Sequence, residues 1–115
     1  MALEIFDIKQ NDTKPDLQVT LKDGAGAAVD VTGATVRFSM RNQLTKALKV
    51  NEQAVTLVTA ASGVVKYVWG TLAGDNDTPG LYDAEFEVTY SGGAIETFPN
   101  NPEHALVVRV NKELG

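Results

Sequence analysis

The stretch Thr78-Pro79-Gly80-Leu81-Tyr82-Asp83-Ala84-Glu85-Phe86-Glu87-Val88-Thr89-Tyr90 constrains this chain more than any other. Tyr82, Ala84, Phe86, Val88 and Tyr90 share one parity, and Asp83, Glu85, Glu87 and Thr89 the other. Side chains on a strand change faces at every residue, so the run predicts a long strand with one dry face and one wet face. Pro79 and Gly80 form the turn that feeds it. A chain organised around such a strand is expected to be all-β.

Shorter runs repeat the pattern. Leu3 to Ile8 is apolar with imperfect alternation, as expected of an edge strand or one that switches sheets. Leu17, Val19 and Leu21 alternate with polar residues, and so do Ala34, Val36, Phe38 and Met40. Lys46–Val50 and Ala54–Thr59 are two further β segments; the β-branched Thr56, Val58 and Thr59 and the lack of a cap argue against a helix there. Val65, Tyr67 and Trp69 share a face of the next strand. Ser91-Gly92-Gly93 predicts a hairpin. Ile95 to Phe98 begins the return strand, and Pro99-Asn100-Asn101-Pro102 interrupts it, because proline cannot donate to a ladder. Leu106, Val108 and Val110 mark the last strand.

Seven to nine short strands, each separated by turn residues, predict an immunoglobulin-like two-sheet β-sandwich, with a closed barrel as the alternative. With 115 residues, positions 1–115 are read as a single domain. Without cysteine, packing alone must hold the core. Tyr82 opens the longest strand after an Asp-containing connection. That is where such sandwiches place a tyrosine whose hydroxyl bonds back to the preceding loop; an ordinary core tyrosine is the alternative. Gly80, Pro79, Phe86, Phe38 and Trp69 complete the expected structural set. The acids Asp83, Glu85 and Glu87 should face Arg37 and Arg41 across a strand pair.

Composition narrows function mainly by exclusion. The net charge of −5 and the isoelectric point near 4.7 argue against nucleic-acid binding and against docking on anionic membranes. No apolar run approaches the ~20 residues of a spanning helix, and the N-terminus lacks the pattern of a signal peptide. The single histidine, His104, has no evident nucleophile or orienting partner, and none of Ser39, Ser62 and Ser91 sits in a nucleophile elbow. Asp75-Asn76-Asp77 resembles a fragment of a calcium loop, with Gly80 at the sixth position, but Pro79 and the absent acid at the twelfth spoil it; turn capping is the simpler reading. No catalytic residue, cofactor site or metal site is expected. Trp69 and Phe98 could stack on sugars only if exposed together.

Several stretches carry a family resemblance. They are Gly63-Val64-Val65-Lys66-Tyr67-Val68-Trp69, Asp77-Thr78-Pro79-Gly80-Leu81-Tyr82, Ala84 to Tyr90, Gly92-Gly93, Thr97-Phe98-Pro99-Asn100, and the opening Ile8-Lys9-Gln10-Asn11-Asp12 with Leu17 to Leu21. Together they resemble the immunoglobulin-like domain at the N-terminus of upper baseplate proteins of tailed bacteriophages and of small stand-alone phage structural proteins. The resemblance implies a non-enzymatic virion protein, made in the host cytoplasm, that docks other virion structural subunits in tail, baseplate or neck as a homo-oligomer. Because the chain stops at Gly115 without a receptor-binding or coiled-coil extension, a complete host-binding fibre is not expected. Contacts are expected from the edge, Leu3, Ile5, Phe6 and Ile8, and from the loop, Phe98, Pro99 and Pro102. A carbohydrate-binding adhesion module and a capsid decoration protein are the alternatives.

Overall fold

The computed structural model describes residues 2–99 and 104–114. The expectations placed on Pro102 and on the side chains of Leu3 and His104 lie outside the described residues. The described chain forms nine strands: β1 (Ala2–Lys9), β2 (Leu17–Thr20), β3 (Thr35–Asn42), β4 (Leu48–Ala54), β5 (Thr56–Thr59), β6 (Val64–Tyr67), β7 (Gly80–Thr89), β8 (Ile95–Phe98) and β9 (His104–Asn111). A short 3-10 turn, Ala60–Ser62, links β5 to β6.

Two sheets share the strands. The major sheet runs β1-β9-β7-β3-β4, with β8 also on β7; the minor sheet runs β2-β6-β5. All pairings within the named strands are antiparallel except β1 on β9, which is parallel. The sheets pack face to face as an all-β sandwich, and the parity of β7 decides which side chains fill the seam. Tyr82, Ala84, Phe86 and Val88 are buried, as are Val36, Phe38 and Met40 on β3, and Val65 and Tyr67 on β6. Four aromatic rings form the centre: Phe38 stacks on Tyr67 at 4.4 Å between centroids, Tyr67 meets Trp69 edge-on at 5.1 Å, and Phe86 tilts against Phe38 at 5.1 Å. Burying a Phe-sized side chain contributes roughly 1.5–3 kcal/mol, so this cluster is a large part of what the sandwich gains by closing.

Two places show why the chain breaks where it does. β8 and β9 lie end to end along one side of β7, since Phe98 stands opposite Phe86 and Leu106 opposite Ala84. Pro99, directly after β8, stands outside the ladder. The segment between β3 and β6 changes sheets at Val55: Ala54 pairs with Arg37 in the major sheet, and Thr56 with Lys66 in the minor one. The two short β segments read from the sequence are therefore strands of different sheets, and the first runs on to Ala54.

Gly63, after the 3-10 turn, is a true glycine requirement. Its φ is +69°, and a Cβ there would sit 2.5 Å from the Val29 carbonyl oxygen. A positive φ is costly for any side chain, and here backbone also occupies the space.

Candidate interaction surface

The residues singled out from the sequence fall into two groups, and burial separates them. Tyr82, Phe86, Phe38 and Trp69 are core; Gly80 is half-buried and Pro79 exposed at the turn into β7. Of the contact candidates, Ile5 is exposed, Phe6 is half-buried against Trp69 with centroids 6.2 Å apart, and Pro99 is half-buried beside a surface depression. Ile8 and Phe98 must be corrected. Both lie in the core, because Ile8 shares the inward parity of β1 and Phe98 that of β8, and so neither side chain offers a contact surface. Trp69 and Phe98 are each 2 % exposed, so they form no platform for a sugar ring.

The connection between β6 and β7 is held by a buried polar clasp. Asp75, 2 % exposed, accepts hydrogen bonds from the Tyr67 hydroxyl at 2.7 Å and the Gly70 amide at 2.8 Å. Burial, and then the facing Asp75 carboxylate, hold the Tyr67 phenol well above its usual range. The Asn76 amide donates to the Asp12 carbonyl at 2.8 Å, which ties this connection to the loop after β1. Asp77 pairs with Lys49 of β4, and the Lys49 ammonium and Thr78 hydroxyl hold its carboxyl below the usual range. The Tyr82 hydroxyl donates to the Thr78 carbonyl at 2.6 Å, so the loop is anchored again four residues before the tyrosine. The residues that suggested a calcium-loop fragment thus bond to the protein itself. Among the described residues no cluster of three or more His, Cys, Asp or Glu side chains is placed to hold a metal. The sequence points to Asp75 only as turn capping; its pairing with Tyr67 depends on a fold that brings a strand end and a loop together.

The outer face of the major sheet is open. Its rows follow the ladder register. One row reads Ile5, Val107, Asp83, Arg41, Leu48 across β1, β9, β7, β3 and β4. The next carries Asp7, Arg109 and Leu81. Arg109 forks onto both oxygens of Asp7, and Asn111 donates to the same carboxylate at 3.1 Å; these bonds hold Asp7 below the usual carboxylate range. Arg41 lies 3.7 Å from Asp83 as the cross-strand pairing predicts, whereas Arg37 and Glu87 stand opposite in register without an ion pair within 4 Å. Leu48 is 59 % exposed and Leu44, at the tip of the β3–β4 hairpin, 93 %; Ile5 and Leu81 are also exposed. A depression of about 390 Å³ opens beside them, lined by Ser39, Arg41, Leu48, Asp83, Glu85 and Pro99 among others. Sequence reasoning passed over Leu44, Leu48, Leu81 and Val107. Leu81 shares the wet parity of Asp83 and Glu85, and Val107 sits in an unbroken apolar run, Leu106-Val107-Val108; those were the available signals.

The third feature is a free backbone edge. β1 pairs only with β9 among the described strands. The Gln10 amide bonds the Asn111 carbonyl at 2.7 Å. N–H and C=O of one strand residue point the same way, and direction alternates along the strand. Ile5, Asp7 and Lys9 therefore turn their backbone groups outward. The other major-sheet edge, β4, is interrupted by a register shift and by Glu52 at φ +50°.

The fold and surface together define an all-β sandwich with a closed aromatic core, a tied connection at one end, and an open sheet face and edge. No known family model matches the chain, and no curated protein matches it.

Proposed function

We propose that this chain is a non-enzymatic bacteriophage virion structural protein, an immunoglobulin-like module that docks neighbouring subunits in tail, baseplate or neck. The observation that carries the reading is the strand arrangement. A three-stranded β2-β6-β5 sheet faces β1-β9-β7-β3-β4, with Tyr82 bonded back to the loop before its strand. That arrangement supports an immunoglobulin-like reading, and the sequence resemblance to phage baseplate domains adds the context. Docking would use what such a fold leaves open, above all the β1 edge, which can accept a strand from a neighbour, with Pro99 at the end of β8 as a second contact. Partners would be other virion subunits, with the chain present in several symmetric copies.

The burial of Trp69 and Phe98 weighs against the carbohydrate-binding alternative, which needs them in the open. A capsid decoration role shares the same chemistry and differs only in location. To test the reading, an epitope-tagged chain is expressed in a phage-producing culture and the particles are banded on a density gradient. Banding of the tag with infectious particles, at a fixed copy number per particle, is the expected result. Full-titre particles that form without the chain and exclude it would overturn the proposal.

A further inference from the structure

We propose that the outer face of the major sheet is the contact between two copies of this chain, packed face to face about a two-fold axis running along the strands between β3 and β7. The inference concerns a different surface from the β1 edge and stands whether or not the virion reading does.

A two-fold contact must be self-complementary. An axis between β3 and β7 lays β3 of each copy over β7 of the other, and β4 over β9. In register, Arg41 and Arg37 on β3 then stand over the partner's Asp83 and the partner's Glu87, because Arg41 pairs with Asp83 and Arg37 with Glu87 within one sheet. The same operation lays Leu48 of β4 over the partner's Val107 on β9, since both belong to one row of the ladder. Apolar meets apolar and base meets acid, with no residue moved.

Charge distribution selects a second copy over an acidic or basic partner. Four acids on this face, Asp7, Asp83, Glu85 and Glu87, stand beside three arginines, Arg37, Arg41 and Arg109, so the face is nearly neutral on a chain of net charge −5. A nearly neutral face lets two like-charged molecules approach with little repulsion. The axis leaves four strands in overlap, β4, β3, β7 and β9, because β1 has no strand opposite it. At about 4.8 Å between strands and about 3.3 Å per residue they cover roughly 19 by 26 Å, or ~500 Å² per partner, which reaches the ~1,000 Å² total that a specific contact needs.

The test is analytical ultracentrifugation of the full chain from micromolar to high micromolar concentration, with Leu48→Glu plus Leu81→Glu as the disrupting variant. Both residues are exposed, so the variant should keep the wild-type circular dichroism spectrum and melting temperature. Val58→Glu, at an exposed position of the minor sheet, is the control. The expected result is a wild-type dimer, an unchanged dimer for the control, and dimerisation weakened on the order of 100-fold in the double variant, because the two substitutions would bury four added carboxylates in the contact without partners. A wild-type chain that stays monomeric throughout would overturn the proposal. So would a dimer that the double variant retains, which would place the contact at the β1 edge, or open-ended growth, which a closed two-fold contact forbids.

Discussion

Two polar regions of this molecule use the same side-chain types to different ends. In the clasp between β6 and β7, Asp75 is buried, and its described bonds run to Tyr67 and Gly70. On the outer face of the major sheet, Glu85, Arg37 and Arg41 are exposed and Asp83 and Glu87 half-buried; Asp83 accepts from the Gln43 amide at 2.9 Å and stands 3.7 Å from Arg41. A buried polar group left without a partner costs the full penalty of losing water, whereas an exposed ion pair competes with water at every moment. The clasp therefore specifies one loop conformation and cannot be changed cheaply. The outer face contributes little to stability, which leaves its charges free to serve an interface.

The comparison breaks most sharply at Asp75. Asp75→Ala orphans the Tyr67 hydroxyl and the Gly70 amide together, and is expected to cost about 3 kcal/mol. Urea unfolding checks this. A loss below ~1 kcal/mol would mean that water replaces the carboxylate and that the clasp is not a specifying element.

The buried phenols and the paired carboxylates should also fail at opposite ends of the pH scale. Burial raises the phenols of Tyr67 and Tyr82, and burial with the facing Glu96 carboxylate pushes Tyr90 up to about 12. A raised folded value means stability that is fully present below the ordinary phenol range near 10 and falls as pH climbs toward the folded value. Asp7, Asp16 and Asp77 are lowered, by Arg109, Lys14 and Lys49 first in each case. Their contribution is present above the ordinary carboxylate value near 4 and is lost as pH falls below it. Asp7 and Asp77 are exposed and Asp16 is half-buried, so the acid effect should be shallow and salt-sensitive, and the alkaline one steep. Melting temperatures across pH, at low and high salt, test both; an acid transition insensitive to salt would contradict the assignment.

Tyr82→Phe keeps the buried ring and removes only the hydroxyl's bonds, to the Thr78 carbonyl and the Asn42 side chain, so it should cost about 1 kcal/mol. Faster hydrogen exchange in the Thr71–Pro79 connection should accompany the loss; unchanged exchange there would reduce Tyr82 to an ordinary core tyrosine. The smallest effect is expected at Arg41→Ala, within roughly 0.5 kcal/mol, because its ion pair is exposed and 3.7 Å long. A cost above ~2 kcal/mol there would show that the outer face contributes to the fold.

Much of this architecture was legible in the chain alone. The period-two runs around Phe38, Tyr67 and Phe86 marked strands and their inward faces, because burial on one side of a pleat leaves no other arrangement for alternating side chains. Arg41 opposite Asp83 followed once β3 and β7 were neighbours. Other features depended on distance in three dimensions. Ile8 and Phe98 look like edge and loop residues in sequence and are core in space. Asp75 looks like a turn residue and is the acceptor beneath a buried tyrosine. Leu48, Leu81 and Val107 lie on three different strands, so only the ladder register could place Leu48 and Val107 in one row and Leu81 beside it. Alternation is a local property, fixed by how one residue follows the next. Partnership among distant residues belongs to the strand order, which no single stretch of this chain contains.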